Sequence, residues 1–329
     1  MSAQPESAVL KTFSLEFVQA YIITMRPYLM FVSGITGLVG ISFTPRVSVT
    51  DFLLRFAASF LSYGFGQALT DCFQIDTDTL SSPYRPLTQG IISRVQAFVV
   101  SAVGLTFCIS IFAAGNFSNL LLGAAAGTGL ATYTWFKKRW WGGPFYNAWI
   151  VVVLCSMAFL SGAQTFSQLL SIRMIWVLLC VLFGYANFVL SGYFKDIEAD
   201  RATGYNTLPV VFGRQISAWT SDFLAVASIA FAAVVLFAPG SASQSVLREA
   251  PKWIFFMTAA LASIIAQVRL HAVATDNEAH RAIAPVVHSY ILLLSSVACA
   301  QKPAWTGLFI LFYAAFISVL KIRPAQNQI

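Results

Sequence analysis

Runs of about 20 apolar residues recur along this 329-residue sequence from end to end, separated by short connections. Each run is long enough to cross the roughly 30 Å hydrocarbon core of a bilayer as a helix. A spanning segment in lipid must satisfy its own backbone hydrogen bonds, and a helix does so within one run. Only 10% of the residues are charged and 58% are hydrophobic, against about 25% charged in soluble domains. A soluble fold of this composition would be a core with almost no surface. The chain therefore reads as an all-α, polytopic transmembrane helical bundle. Spans fall near 22–44, 52–73, 94–114, 117–136, 145–166, 173–195, 214–238, 253–271, 283–300 and 304–321, which makes nine or ten depending on how the last two divide.

Residues 1–20 lack the basic and apolar regions of a secretory signal and read as a polar N-terminal tail. Residues 21–322 form one transmembrane domain and 323–329 a C-terminal tail. The five cysteines are scattered singly, without the spacing of a zinc site or a disulfide framework. The net charge of +7 is explained by topology rather than by nucleic acid. Most of the 20 basic residues fall in alternate connections: Lys11, Arg26, Arg85, Arg94, Lys137, Lys138, Arg139, Lys195, Arg201, Arg214, Arg269, Arg281, Lys321 and Arg323. The opposite side holds Arg46, Arg55, Arg173, Arg248, Lys252 and Lys302. The basic side is expected to face the cytoplasm. Its loops at 71–90, 137–147 and 196–213 are polar and carry charges of both signs, whereas most loops opposite are plain.

Two acidic stretches stand at the ends of apolar runs on that basic side. The first, LTDCFQIDTDTLSSPYRPL (Leu69 to Leu87), packs Asp71, Asp76 and Asp78 into eight positions, out of 13 acidic residues in the chain. Asp71 and Asp78 are seven apart and would share a helix face; Asp76 would point elsewhere. The second, YFKDIEADRATGYNTLPVVFG (Tyr193 to Gly213), places Asp196 and Asp200 one helical turn apart. Ionisable groups at membrane depth are unfavourable and usually functional. Magnesium takes one or two carboxylates and completes its shell from water and substrate phosphates. Two facing carboxylate pairs suit Mg²⁺ around a diphosphate, and Arg85, Lys137, Lys138, Arg139, Lys195 and Arg201 are the candidates for the remaining phosphate oxygens. The alternative for each basic residue is a loop charge that obeys topology.

The pattern DxxxDxxxGxxTLPVxxG (Asp196, Asp200, Gly204, Thr207, Leu208, Pro209, Val210, Gly213) resembles the second aspartate motif of the UbiA superfamily of intramembrane prenyltransferases. SPYRPLTQG, Ser82 to Gly90, resembles the end of its first motif, in a form close to that of chlorophyll synthases. YTWFKKRWWGGPFYNAW, Tyr133 to Trp149, resembles its basic loop and the Asn that follows, here Asn147. The resemblance covers nearly the whole chain. It implies a bundle of usually nine spans, Mg²⁺ as cofactor and an isoprenyl diphosphate as donor. The diphosphate leaves, and the allylic cation is attacked by a small lipophilic or aromatic acceptor. It implies Asp78, Asp196 and Asp200 as catalytic metal ligands, with Asp71 and Gln74 as further ligands.

The departures are specific. Where the family's first motif usually reads Asn-x-x-x-Asp-x-x-x-Asp, this chain has Thr70, Gln74 and Asp78; where many members carry an aspartate three before Asp196, it has Tyr193. Gln74 is neutral, so less charge is available to hold Mg²⁺. Aromatic faces can stabilise a passing cation. Tyr146, Tyr185 and Tyr193, with Trp135, Phe145 and Trp149, lie on the implicated spans; Tyr146, Tyr185, Tyr193 and Asn147 are the expected cavity residues. His271, His280 and His288 offer proton acceptors, or are simply loop and interface histidines. Asn187 is either a cavity group or a helix–helix hydrogen bond. The expected function is Mg²⁺-dependent prenyl transfer by a multi-pass membrane protein with its site facing the cytoplasm. The alternative is a terpene cyclase of the same superfamily, in which the chain attacks its own cation and no acceptor is needed. A transporter would place acids mid-span, which this sequence does not.

Overall fold

The computed structural model describes residues 9–162, 164–237 and 246–322. The chain begins with a bent pair, Leu15–Met25 (α1) and Pro27–Ser42 (α2). There follow Val49–Asp71 (α3), the short Ile75–Ser81 (α4), Arg94–Gly115 (α5), Asn119–Arg139 (α6), Gly143–Leu160 (α7) and the single turn Phe166–Leu169 (α8). Then come Ile172–Tyr193 (α9), the short Ile197–Ala202 (α10), Leu208–Phe237 (α11), Val246–His271 (α12), His280–Gln301 (α13) and Thr306–Lys321 (α14). No strand occurs among the described residues. Helix α1 begins inside the stretch expected as a polar tail, while residues 1–8 and 323–329 lie outside the described residues.

Local sequence sets these boundaries. Ser48, Ser93 and Ser171 stand at N-caps and accept from the backbone N–H groups of Asp51, Gln96 and Met174, which removes orphan donors at the helix start. The break between α1 and α2 falls at Met25-Arg26-Pro27. A residue before proline is disfavoured in the helical region, and Arg26 adopts left-handed φ/ψ of 53° and 70°. The two helices are bent by 59° there.

Among the described residues seven helices are long and apolar enough to cross a membrane, or eight if the bent pair is one span. Helices α3 and α6, at 23 and 21 residues, are long enough. They are less apolar because they carry Gly, Ser, Thr, Gln and terminal charges. They pack in the same bundle, α3 against α2 and α5, and α6 against α7. The expected nine or ten spans are thus seven or eight by length and apolarity alone. Helices α2 and α13 form the centre. The span that contains α13 is 83% buried, whereas that of α14 is 17% buried and meets the bundle mainly through Phe309, Phe312 and Phe316. A hydrogen bond of 2.8 Å between Thr36 and Tyr290 joins α2 to α13. All five cysteines are free and buried.

One end of the bundle is elaborated. There α4 follows the end of α3, and α10 follows the end of α9; α4 and α10 pack against one another. The long helix α11 is kinked near its start at Gly213, whose φ of 80° and ψ of 169° belong to a region open essentially to glycine. A Cβ at Gly213 would meet nothing within 4 Å, so the constraint there is backbone strain alone. Gly213→Ala should destabilise the protein by about 1–3 kcal/mol. Thermal unfolding in detergent should show a lowered midpoint, while Gly307→Ala, in a regular helix with equally open surroundings, should not lower it.

A candidate diphosphate and metal site at one end of the bundle

Helices α4 and α10 begin alike. Their N-cap residues, Gln74 and Asp196, have nearly the same conformation, φ −119° with ψ 20° and φ −117° with ψ 11°. In each the residue four on donates back: Asp78 N to Gln74 O at 2.9 Å and Asp200 N to Asp196 O at 2.7 Å. Asp71 is the last residue of α3, and α4 starts only after a break, so the single continuous face expected for Asp71 and Asp78 is not present. Arg85 brings them together instead, with Nη1 at 2.6 Å from Asp78 Oδ2 and 3.8 Å from Asp71 Oδ2.

The spacing of the second motif has a local cause. Helix α10 ends in a Schellman motif: Tyr205 N donates to Asp200 O at 2.8 Å and Gly204 N to Arg201 O at 3.3 Å. Gly204 takes the left-handed position, with φ 74°, which a Cβ disfavours. The run Asp196-x-x-x-Asp200-x-x-x-Gly204 is thus one short helix with its N-cap and its C-terminal glycine.

A cavity of about 710 Å³ lies between the two half-sites. Of the residues expected at the site, Asp71, Gln74, Asp78, Arg85, Lys137, Asn147, Tyr185, Tyr193, Lys195 and Asp196 line it. Lys137 bridges the halves: its Nζ donates to Gln74 Oε1 and Asp200 Oδ1, both at 3.2 Å, beneath the rings of Tyr193 and Tyr205. Asp200 is fully buried behind Lys137 rather than on the cavity wall. Burial pushes its carboxyl up to about 6, against the pull of Lys137 and with the help of Asp196. Its Oδ2, beside the hydroxyl of Thr207, has no well-formed hydrogen bond among the described residues. Asp78 is also pushed up by burial, with Arg85 opposing. Burial brings Lys195 down to about 8, with Asp196 opposing.

A second cavity, apolar and of about 790 Å³, adjoins the first. Tyr63, Gln67, Thr70, Asn147 and Tyr185 line both. The second runs along α3, α5, α6 and α7 past Leu105 and Leu130 to Phe112 and Met157. The arrangement suits an amphiphile with an anionic head and a long apolar tail.

The UbiA prenyltransferase family profile matches residues 30–290. This chain belongs to that family. Membership makes it an intramembrane prenyltransferase. Digeranylgeranylglyceryl phosphate synthase of Thermococcus kodakarensis is 27% identical over 224 residues, 65% of this chain and 76% of the relative. Chloroplastic chlorophyll synthase of Arabidopsis thaliana is 26% identical over 168 residues, 47% of this chain and 42% of the relative. Among solved structures, the apo UbiA homologue from Aeropyrum pernix K1 superposes with a TM-score of 0.66 at 20% identity, covering 87% of this chain and 98% of its own. The Archaeoglobus fulgidus UbiA homologue bound to GPP and Mg²⁺ gives 0.63 at 19%, covering 91% and 99%. At these identities the structural likeness is one of fold.

Several expected site residues of this UbiA protein stand elsewhere. Lys138 pairs with Asp76 at 3.2 Å, both about half exposed, and Arg139 lies over Trp135. Arg201 is exposed. None of the three lines the cavity. Tyr146 is also outside it, with its hydroxyl 2.7 Å from that of Thr132 and its ring stacked on Phe136. Asp71 faces the cavity with both oxygens engaged by Arg26, at 3.0 and 2.9 Å, and one by Gln67 at 2.6 Å. It orients a cation and is a poor candidate for a metal. Asp76 points away from the cavity but is not idle: it accepts from Tyr205 at 3.0 Å, and so ties α4 to the end of α10. The histidines pair with Asp222, Asn277 and Tyr313, away from the site. Asn187 accepts from Ser221 in the bundle interior.

Arg26, Tyr63, Gln67 and Tyr133 line the cavity and escaped the sequence reading. Arg26 carried a signal, a charge within the first apolar run just before a proline. Tyr133 bonds Tyr193 through their hydroxyls at 2.6 Å; nothing local marks it among the many aromatics.

The donor set fits magnesium. Asp78 and Asp196 face the cavity, and the Asp196 carboxylate makes no cap hydrogen bond and no ion pair among the described residues. No three acidic, His or Cys side chains there converge into an all-protein metal cage, as suits an ion that keeps one or two carboxylates and shares phosphate oxygens. Breaking the buried Lys137–Asp200 pair should be severe. Lys137→Met should lower stability in EDTA by about 3–5 kcal/mol, and Lys138→Met, at a half-exposed pair, by less than about 1 kcal/mol. Parallel denaturation curves check the contrast.

Proposed function

We propose that this UbiA protein transfers an isoprenyl group from its diphosphate to a small lipophilic acceptor, with Mg²⁺ as cofactor. The observation that carries the reading is the pair of adjoining cavities, one polar and charged, the other long and apolar. The digeranylgeranylglyceryl phosphate synthase relatives and the GPP- and Mg²⁺-bound neighbour support it. In this reading α3 and α6 also cross the bilayer, which brings the count to nine or ten. The elaborated end, with its excess of Lys and Arg, faces the cytoplasm.

Asp78 and Asp196 are the metal ligands, with Gln74 Oε1 as a secondary donor, while Asp200 holds Lys137 in place from behind the cavity wall. Bound Mg²⁺ would neutralise diphosphate charge and so favour its departure. Arg26, Arg85, Lys137 and Lys195 bind the phosphate oxygens. Four cations against the three carboxylates Asp71, Asp78 and Asp196 on the wall leave a positive lining for an anion, and replacement of an acid by Gln74 contributes to that balance. The C–O bond to diphosphate breaks with its electron pair going to the leaving oxygen, and these preorganised charges stabilise that oxygen. The allylic cation forms where head and tail cavities meet, at Tyr63 and Tyr185, whose π faces stabilise it. The apolar walls exclude water, which would otherwise capture the cation. The acceptor supplies the electron pair for the new bond and loses a proton.

A cyclase remains the second reading, because Thr70 and Gln74 alter the first motif. Geranylgeranyl or farnesyl diphosphate with Mg²⁺ and no acceptor separates the two: only slow hydrolysis supports transfer, and a cyclic hydrocarbon or alcohol supports cyclisation. In either case Asp196→Asn and Asp200→Asn should each abolish diphosphate release. Wild-type turnover retained in both would defeat the assignment of the site.

A further inference from the structure

We infer that Asp276 is a positioning residue for Asp196: it caps helix α10 from a distant loop, and so leaves the Asp196 carboxylate free to face the cavity. The inference rests on the reading of Asp196 as a metal ligand. An aspartate at an N-cap ordinarily turns its side chain back to accept from the N–H of the second or third helical residue. Asp196 occupies the N-cap of α10 and makes no such bond. The N–H it would take, that of Glu198, donates instead to Asp276 Oδ2 at 2.8 Å, from 78 residues away in sequence.

Asp276 is itself fixed. It opens the 3₁₀ turn Asp276–Glu278, which Thr275 and Glu278 close with a capping box. Its other oxygen accepts from Arg214 Nη2 at 2.5 Å. Arg214 follows the strained Gly213 and reaches the carbonyl of Phe194 at 3.5 Å, which clasps the corner between α9 and α10. Asp276, Arg214 and Glu198 are all absent from the cavity wall, so none touches the substrate. In the other half-site the third helical amide is capped locally: Asp76, inside α4, accepts from Thr77 N at 2.9 Å. In α10 the equivalent position is Glu198, whose own N–H is the one that needs a partner. Without Asp276, that N–H is left to the ordinary N-cap acceptor, the Asp196 side chain, and a carboxylate turned back to cap its helix is withdrawn from the metal.

Manganese binds the same oxygen sites as magnesium, and its binding to the purified, substrate-free protein can be followed by electron paramagnetic resonance. Asp276→Ala should weaken Mn²⁺ binding about tenfold or more, the range for residues that hold a metal ligand in place. Asp276→Asn, whose amide oxygen can still accept from Glu198 but whose NH2 then faces Arg214, should recover only part of it. In turnover, Asp276→Ala should raise the Mg²⁺ concentration for half-maximal rate and leave kcat at saturating Mg²⁺ much less changed. In the Asp196→Asn background, Asp276→Ala should produce no further loss of Mn²⁺ affinity. An unchanged affinity in Asp276→Ala, or the same fold loss in both backgrounds, overturns the inference. If Asp276→Ala does not fold, Arg214→Ala carries the test, and unchanged Mn²⁺ affinity there overturns it equally. Mn²⁺ affinity unaltered by Asp196→Asn alone would remove the underlying assignment and this inference with it. Affinity lost in Asp196→Asn but kept in Asp276→Ala would remove only the inference.

Discussion

Charge pairing at the closed end of a membrane bundle governs this structure. Asp71, Asp78 and Asp200 are buried, and a buried carboxylate is tolerable only with a partner. Arg26 and Arg85 serve Asp71, Arg85 serves Asp78, and Lys137 serves Asp200. No cation lies on the helix that bears its acid: Arg26 stands at the break between α1 and α2, Arg85 in the loop after α4, and Lys137 near the end of α6. The pairs therefore tie the start of α2 and the loop after α4 to α3 and α4, and the end of α6 to α10, and the cavity between them follows. Asp196 is the exception. Its carboxylate faces the cavity with no cap hydrogen bond and no ion pair among the described residues, and in a site of paired charges that is where an added cation is most favoured.

The two half-sites are built on one plan, a span, a break and a short helix whose N-cap faces the centre. Gln74 and Asp196 occupy the same place in that plan. Gln74 is therefore the structural counterpart of Asp196 and a neutral residue in that place. Gln74 lets Lys137 rest against a neutral oxygen on one side and a carboxylate on the other, and so leaves more of the lysine's charge for an anionic headgroup. In the proposed reading the apolar chamber beyond Tyr63 and Tyr185 holds the tail apart from this charged end. Heterolysis needs that separation: charge where the diphosphate departs, and no water where the cation forms.

Much of this was legible in sequence because lipid leaves few options. Apolar run length gave the helices, and the alternation of basic loops gave the end at which the site is assembled. The second motif could be read residue by residue because its logic is local, one short helix from Asp196 to Gly204. The first motif misled where its logic is tertiary. Asp71 and Asp78 are seven apart but separated by a helix break, and it is Arg85 that reunites them. Lys138, Arg139 and Arg201 carried the right charge beside the right motifs, yet helix phase turns them outward. Arg26 and Asp276 act on residues 45 and 78 positions away, and no local pattern announces such pairings.

The most direct test is to locate the metal and the tail together. Crystals of the protein with Mn²⁺ and a non-hydrolysable isoprenyl thiolodiphosphate would show manganese by its anomalous scattering. The account predicts manganese against Asp78 and Asp196, phosphate oxygens on Arg85 and Lys137, and the isoprenyl tail in the chamber that ends at Phe112 and Met157. Manganese bound away from both aspartates, or a tail outside that chamber, would contradict it.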